Sequence, residues 1–126
     1  AFARLFDDAI PDWRHEPETL VRADRVDDEA VRLAHGEAKA GLIEEVRART
    51  GRALDPDLPI LGFARRMTGY KRPDLLFSDL DRLRSLAGRL PFQVVLAGKA
   101  HPNDGGGKEL IRRIGEHARA LAGEVP

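Results

Sequence analysis

Two short apolar runs constrain this chain more than anything else in it: LPILGFA at residues 58–64 and FQVVLA at 92–97. Neither alternates polar with apolar positions, so each reads as a strand buried on both faces. Between them, residues 73–87 carry Leu76, Leu80, Leu83 and Ala87 at helical spacing, with Ser78-Asp79 able to divide the stretch and Ser78 as the candidate cap of a second helical piece. After the second run, Leu110, Ile111, Ile114, Ala118 and Leu121 mark another helix. Strand, helix, strand, helix predicts an α/β fold with a parallel sheet and right-handed crossovers. Two strands make a poor open sheet, whose faces and edges need covering, so further strands are expected beyond Pro126.

Upstream the rhythm differs. Val31, Ala34, Ala38, Leu42 and Val46 recur at spacings of three and four, predicting a long helix over 27–49. Asp27 is its N-cap and Thr50-Gly51 its stop. Residues 1–26 hold Pro11, Pro17 and Trp13, the only tryptophan. A short helix around 3–9 is expected there, the rest being irregular, with Trp13 as a docking residue. DPDLP at 55–59 is a turn or linker. The division is therefore a helical connecting segment, 1–56, and the first part of an α/β domain, 57–126. The absence of an initiator Met and of any evident terminal element suggests excision from something longer.

The first apolar run empties into ARRMTGYKRP, which places Arg65, Arg66, Lys71 and Arg72 within eight residues. A helix expected from Pro73 would add its positive end. The chain as a whole balances 21 basic against 21 acidic residues, so this cluster is local. That balance argues against broad binding to nucleic acid or to an anionic membrane. Of the four lysines, Lys71 and Lys99 follow the two predicted strands, while Lys39 and Lys108 fall in helices. Ligands of open α/β sheets bind outside the carboxyl ends of the strands. If the strands are neighbours, Arg66, Lys71 and Lys99 converge there, and Gly62, Gly69 and Gly98 allow a bulky anion to approach the backbone.

Plainer readings stand beside this one. Any single one of Arg65, Arg66 and Arg72 also suits a surface ion pair, and Tyr70 suits packing. His101 before Pro102 suits either a general acid or a structural loop residue. Asp104 and the three glycines after it read as a helix entry, without the lysine-and-hydroxyl ending of a P-loop. His15, His35 and His117 lack ligand-like spacing, and there is no cysteine, so no metal site is expected. Neither a membrane span nor a signal peptide is evident, and a cytoplasmic setting is expected.

GFARRMTGYKRPDLLFSDLDRL and VVLAGKAHPNDGGGKELI together resemble the α-glucan (glycogen, starch or maltodextrin) phosphorylases, most nearly their shorter bacterial and archaeal branch. PDWR and the long charged helix are similar to the region just upstream, so the likeness covers nearly the whole chain. The resemblance implies a retaining glycosyltransferase with two Rossmann-like domains, this chain lying at the start of the C-terminal one. It implies release of glucose 1-phosphate from an α-1,4-glucan by inorganic phosphate, with pyridoxal 5′-phosphate acting through its phosphate group. Arg66 and Lys71 would hold the substrate phosphate, Arg65 would face the cofactor phosphate, and Tyr70 would meet sugar hydroxyls. Lys99 and His101 match a loop of the substrate site.

Arg65 replaces a lysine of the longer enzymes, and Thr68-Gly69 replaces their His-Glu, so neither Thr68 nor Gly69 inherits a role. The Schiff-base lysine belongs to a later segment, so the fragment alone is expected to be inactive. The remainder of the parent chain is an implied partner, and a homo-oligomer is compatible with the family. Two other functions remain open. One is a nucleotide-sugar glycosyltransferase of glycogen synthase type, which clamps a diphosphate with a similar Arg/Lys pair. The other is a non-catalytic interaction module.

Overall fold

The computed structural model describes residues 1–125, which divide into two compact units, Ala1–Pro56 and 57–125. The first unit contains α1 (Phe2–Ala9), a 3-10 helix (Pro17–Arg25) and α2 (Asp28–Thr50). α2 starts and stops where its caps dictate. The Asp27 carboxylate accepts the Ala30 N–H at 3.0 Å, and Gly51 closes the helix in the left-handed region at φ 73°. α1 packs along α2, with Arg4 paired to Glu37. Of the predicted apolar stripe only Ala34 is buried, while Val31 and Leu42 stay exposed.

Residues 10–25 are more ordered than the sequence suggests. Pro17 opens the 3-10 helix, where its fixed φ is already suitable and its missing N–H costs nothing. Trp13 docks locally: its ring meets Phe6 edge-on at 5.5 Å, and its indole N–H donates to Asp7 at 2.9 Å. Arg14 lies over the same ring and grips both carboxylate oxygens of Asp7 at 2.9 Å.

The second unit runs β1 (Ile60–Ala64), α3 (Leu80–Arg89), β2 (Gln93–Ala97) and α4 (Gly105–Ala120). The strands pair in parallel, Ile60 opposite Gln93 through Ala64 opposite Ala97, as the two apolar runs predicted. One sheet face carries Phe63, Val94 and Leu96 against a core of Met67, Phe77, Leu83, Ala87, Ile114, Leu121 and Val125. Gln93 is fully buried, and its N–H donates to the Pro59 carbonyl at 2.8 Å, pinning the approach to β1. At the far end Arg84 joins Glu124, Asp81 and the Ala120 carbonyl, fastening the end of α4 to α3.

Two expectations are corrected here. The strands are not buried on both faces: Gly62, Ala64 and Ala97, on the face opposite Phe63, are exposed, and Leu61 is 46% exposed because a two-stranded sheet leaves one edge of β1 bare. Nor does a helix begin at Pro73. Short 3-10 turns occupy Gly69–Lys71 and Leu75–Phe77, and α3 waits until Leu80. The reason lies in the cap. Asp79, not Ser78, takes the extended N-cap geometry and accepts the Arg82 N–H at 2.9 Å, so the helical register starts there. Among the described residues no helix is long and apolar enough to cross a membrane.

Candidate anion site at the strand ends

The parallel pairing does not stop with the strands. The Arg65 N–H donates to the Ala97 carbonyl at 3.2 Å, and the Met67 N–H donates to the Lys99 carbonyl at 3.1 Å. These bonds hold the two strand-end loops, 65–72 and 98–102, side by side. Met67 is the anchor: 4% exposed, it drops from the cationic loop into the core cluster.

Two glycines let the loops close. A Cβ on Gly98 would meet the Arg65 carbonyl oxygen at 2.1 Å. One on Gly107 would meet the Met67 carbonyl oxygen at 2.4 Å and Asp104 Oδ2 at 2.7 Å. The close approach at Gly98 in this structure is to the Arg65 backbone. Gly107 also donates its N–H to Asp104 Oδ1 at 2.8 Å, capping α4. Helix entry and loop docking thus share one residue.

With the backbone fixed, Arg65, Arg66, Tyr70, Lys71, Lys99 and His101 all stand exposed on the two loops. Tyr70, 77% exposed, is not a packing residue; its ring carries the Lys71 ammonium at 4.7 Å. Carboxylates in this chain pair elsewhere, with Arg4, Arg14, Arg32, Arg49, Arg84, Arg112 and Arg113. Among the described residues none pairs with Arg65, Arg66, Lys71, Arg72 or Lys99. Five cations left unneutralised near two hydrogen-bonded loops make a positive surface that attracts oxyanions.

The side chains do not all share one cavity. An opening of about 750 Å³ beside β1 is walled by Leu61, Phe63, Leu83, Val94 and Leu96, with Lys71, Arg72, Asp79 and Arg82 as its charged lining. Arg65, Arg66, Tyr70, Lys99 and His101 do not line it. His101 is oriented by its own loop: Nδ1 accepts the Asn103 N–H at 3.2 Å, so a neutral ring carries its proton on Nε2. That makes His101 a potential donor toward an anion. Among the described residues no group of three or more His, Asp or Glu side chains could hold a metal ion.

Several phosphorylases are similar to this chain in sequence. Glycogen phosphorylase of Aquifex aeolicus is 52% identical over 71 residues, 55% of this chain. The glycogen phosphorylase of Mycobacterium tuberculosis is 34% identical over 122 residues, 82% of this chain. This is a stretch of α-glucan phosphorylase-family sequence. Maltodextrin phosphorylase of Thermococcus litoralis is also similar, 36% identical over 107 residues and 74% of the chain. No family model matches. The stretch spans only 10%, 14% and 13% of the lengths of these three phosphorylase relatives.

Proposed function

We propose that this stretch supplies the phosphate-gripping part of an α-glucan phosphorylase active centre, as the start of a Rossmann-like catalytic domain. The intact protein then uses inorganic phosphate to release glucose 1-phosphate from the end of an α-1,4-glucan. What carries the reading is the unneutralised set Arg65, Arg66, Lys71 and Lys99 on two loops joined by the Met67–Lys99 bond. The names of the relatives, glycogen and maltodextrin phosphorylase, support the substrate class.

In this reading Arg66 and Lys71 bind the substrate phosphate. The guanidinium offers a two-pronged grip, and the ammonium adds a compact charge steadied over the Tyr70 ring. Tyr70 presents its hydroxyl to the sugar, and Lys99 and His101 flank the anion from the neighbouring loop. Arg65 suits the phosphate of pyridoxal 5′-phosphate: its backbone is tied to Ala97, and its exposed side chain has no carboxylate partner among the described residues. When bound, that cofactor supplies a phosphate that exchanges a proton with the substrate phosphate.

The charge count follows from this pairing of anions. Two unit charges about 4 Å apart repel by roughly 4 kcal/mol at an effective dielectric constant near 20, and phosphate dianions by several times more. Fixed cations offset that repulsion and stabilise charge developing in the transition state without reorganising. The test is a donor comparison on the full-length protein. Phosphorolysis of maltodextrin with bound pyridoxal phosphate is the expected result. Glucose transfer from a nucleotide-glucose donor, with no phosphorolysis, would overturn it.

A further inference from the structure

A second cavity, of about 310 Å³, lies between the Leu75–Phe77 turn and α4. Arg113 and His117, one helical turn apart on α4, form one wall. Arg72, Asp74, Phe77 and Ser78 form the other. The parts are held in place. The His117 ring lies flat on Phe77, with centroids 5.6 Å apart and planes 14° from parallel. Asp74 Oδ2 accepts from Arg113 Nη2 at 3.2 Å, which orients the guanidinium while leaving it other donors.

Arg72 completes the arrangement. It closes the Gly69–Lys71 turn in the left-handed region, φ 48° and ψ 52°, where a residue with a Cβ is strained. No carboxylate pairs with it among the described residues. Two guanidinium groups against one carboxylate leave the pocket net positive, with a serine hydroxyl and an imidazole as further hydrogen-bonding groups. A volume near the lower limit of small-molecule sites suits one tetrahedral oxyanion on a small body.

We propose that this cavity is a second anion site, taking a single phosphate or phosphomonoester group. It adjoins Lys71 through one peptide bond, and it does not depend on the phosphorylase reading, since it uses none of Arg65, Arg66, Lys71 or Lys99.

The test uses the full-length protein carrying Lys71→Ala, which weakens the strand-end site, with calorimetric titration by inorganic phosphate and by glucose 1-phosphate. Binding of either ligand is expected to remain and to fall at least tenfold when Arg113→Gln is added. His117→Gln gives a second reading that leaves the Asp74–Arg113 pair intact, and a several-fold loss is expected. Unchanged melting temperatures in both variants separate lost binding from lost fold. Binding to neither ligand in the Lys71→Ala protein overturns the proposal. So does residual affinity that ignores both added substitutions, because that affinity then belongs to Arg65 and Arg66.

Discussion

The Met67 N–H donates to the Lys99 carbonyl at 3.1 Å, beyond the last paired residues of both strands. This bond converts two loops that diverge in sequence into one surface. It depends on Met67 being buried and on the loops touching without side chains between them.

Gly98→Ala is therefore expected to separate the loops. Its Cβ would overlap the Arg65 carbonyl oxygen at 2.1 Å, a backbone clash that no rotamer relieves. Overpacking of this kind costs about 1–3 kcal/mol. Thermal melting of the variant should show the loss, with phosphate affinity falling alongside it. A variant as stable as the parent would show that the close approach is not needed.

The first turn of α4 offers an internal comparison. A Cβ on Gly106 meets nothing nearer than Asp104 Oδ1 at 3.6 Å, an ordinary contact, whereas on Gly107 it strikes the Met67 carbonyl. Gly106→Ala should gain up to about 1 kcal/mol from helix propensity. Gly107→Ala should lose at least as much. Denaturant unfolding of the pair measures the difference, and equal midpoints would contradict the geometry.

What the sequence made legible was whatever its local chemistry decides. Asp27, Gly51 and Asp104 cap their helices because a short polar side chain or a left-handed glycine needs only its nearest neighbours. The parallel strands were legible because an unbroken apolar run has few alternatives. Local rules failed at Pro73, where a helical pattern of leucines extends back past the residue that caps the helix, and Asp79 prevailed over Ser78. They failed for Met67, whose burial is decided by Gly98 and Gly107, both distant along the chain. Three consecutive glycines at a helix entry that needs none were the available clue. The local concentration of cations in the loop was legible, but not the division of Lys71 and Arg72 from the loop's other cations in lining the larger cavity.

Asp7 should report acid unfolding of its neighbourhood. The Arg14 guanidinium, and then the Trp13 indole, hold its carboxyl down at about 2 from an ordinary 3.8. A depressed folded-state value means the contribution to stability is complete above pH 3.8 and is lost as pH falls through about 2. The indole N–H resonance of Trp13 should therefore titrate near pH 2. A midpoint near 4 would show that the Asp7–Arg14–Trp13 cluster does not form in solution.

Arg72→Gly sets stability against binding. Removing the Cβ relieves the left-handed strain at φ 48° and should raise stability by about 1 kcal/mol. The same change deletes one of the two guanidinium groups in the smaller cavity. A higher melting temperature with weaker phosphate binding is expected. Lower stability would mean that the guanidinium has a structural partner.

Lys71→Ala in the full-length protein tests the strand-end site most directly. The side chain is exposed, and among the described residues its ammonium makes no ion pair, only a cation–π contact with the Tyr70 ring at 4.7 Å, worth about 0.5–1 kcal/mol at such a site. The melting temperature should therefore hardly move. Activity should respond far more, because removing one fixed donor from a developing charge typically costs about 100- to 1000-fold in rate. Lys71→Arg keeps the charge but replaces a compact ammonium with a planar fork, so only partial recovery is expected. If Lys71→Ala phosphorolyses maltodextrin at the parent rate, the phosphate-gripping role assigned to this loop is wrong.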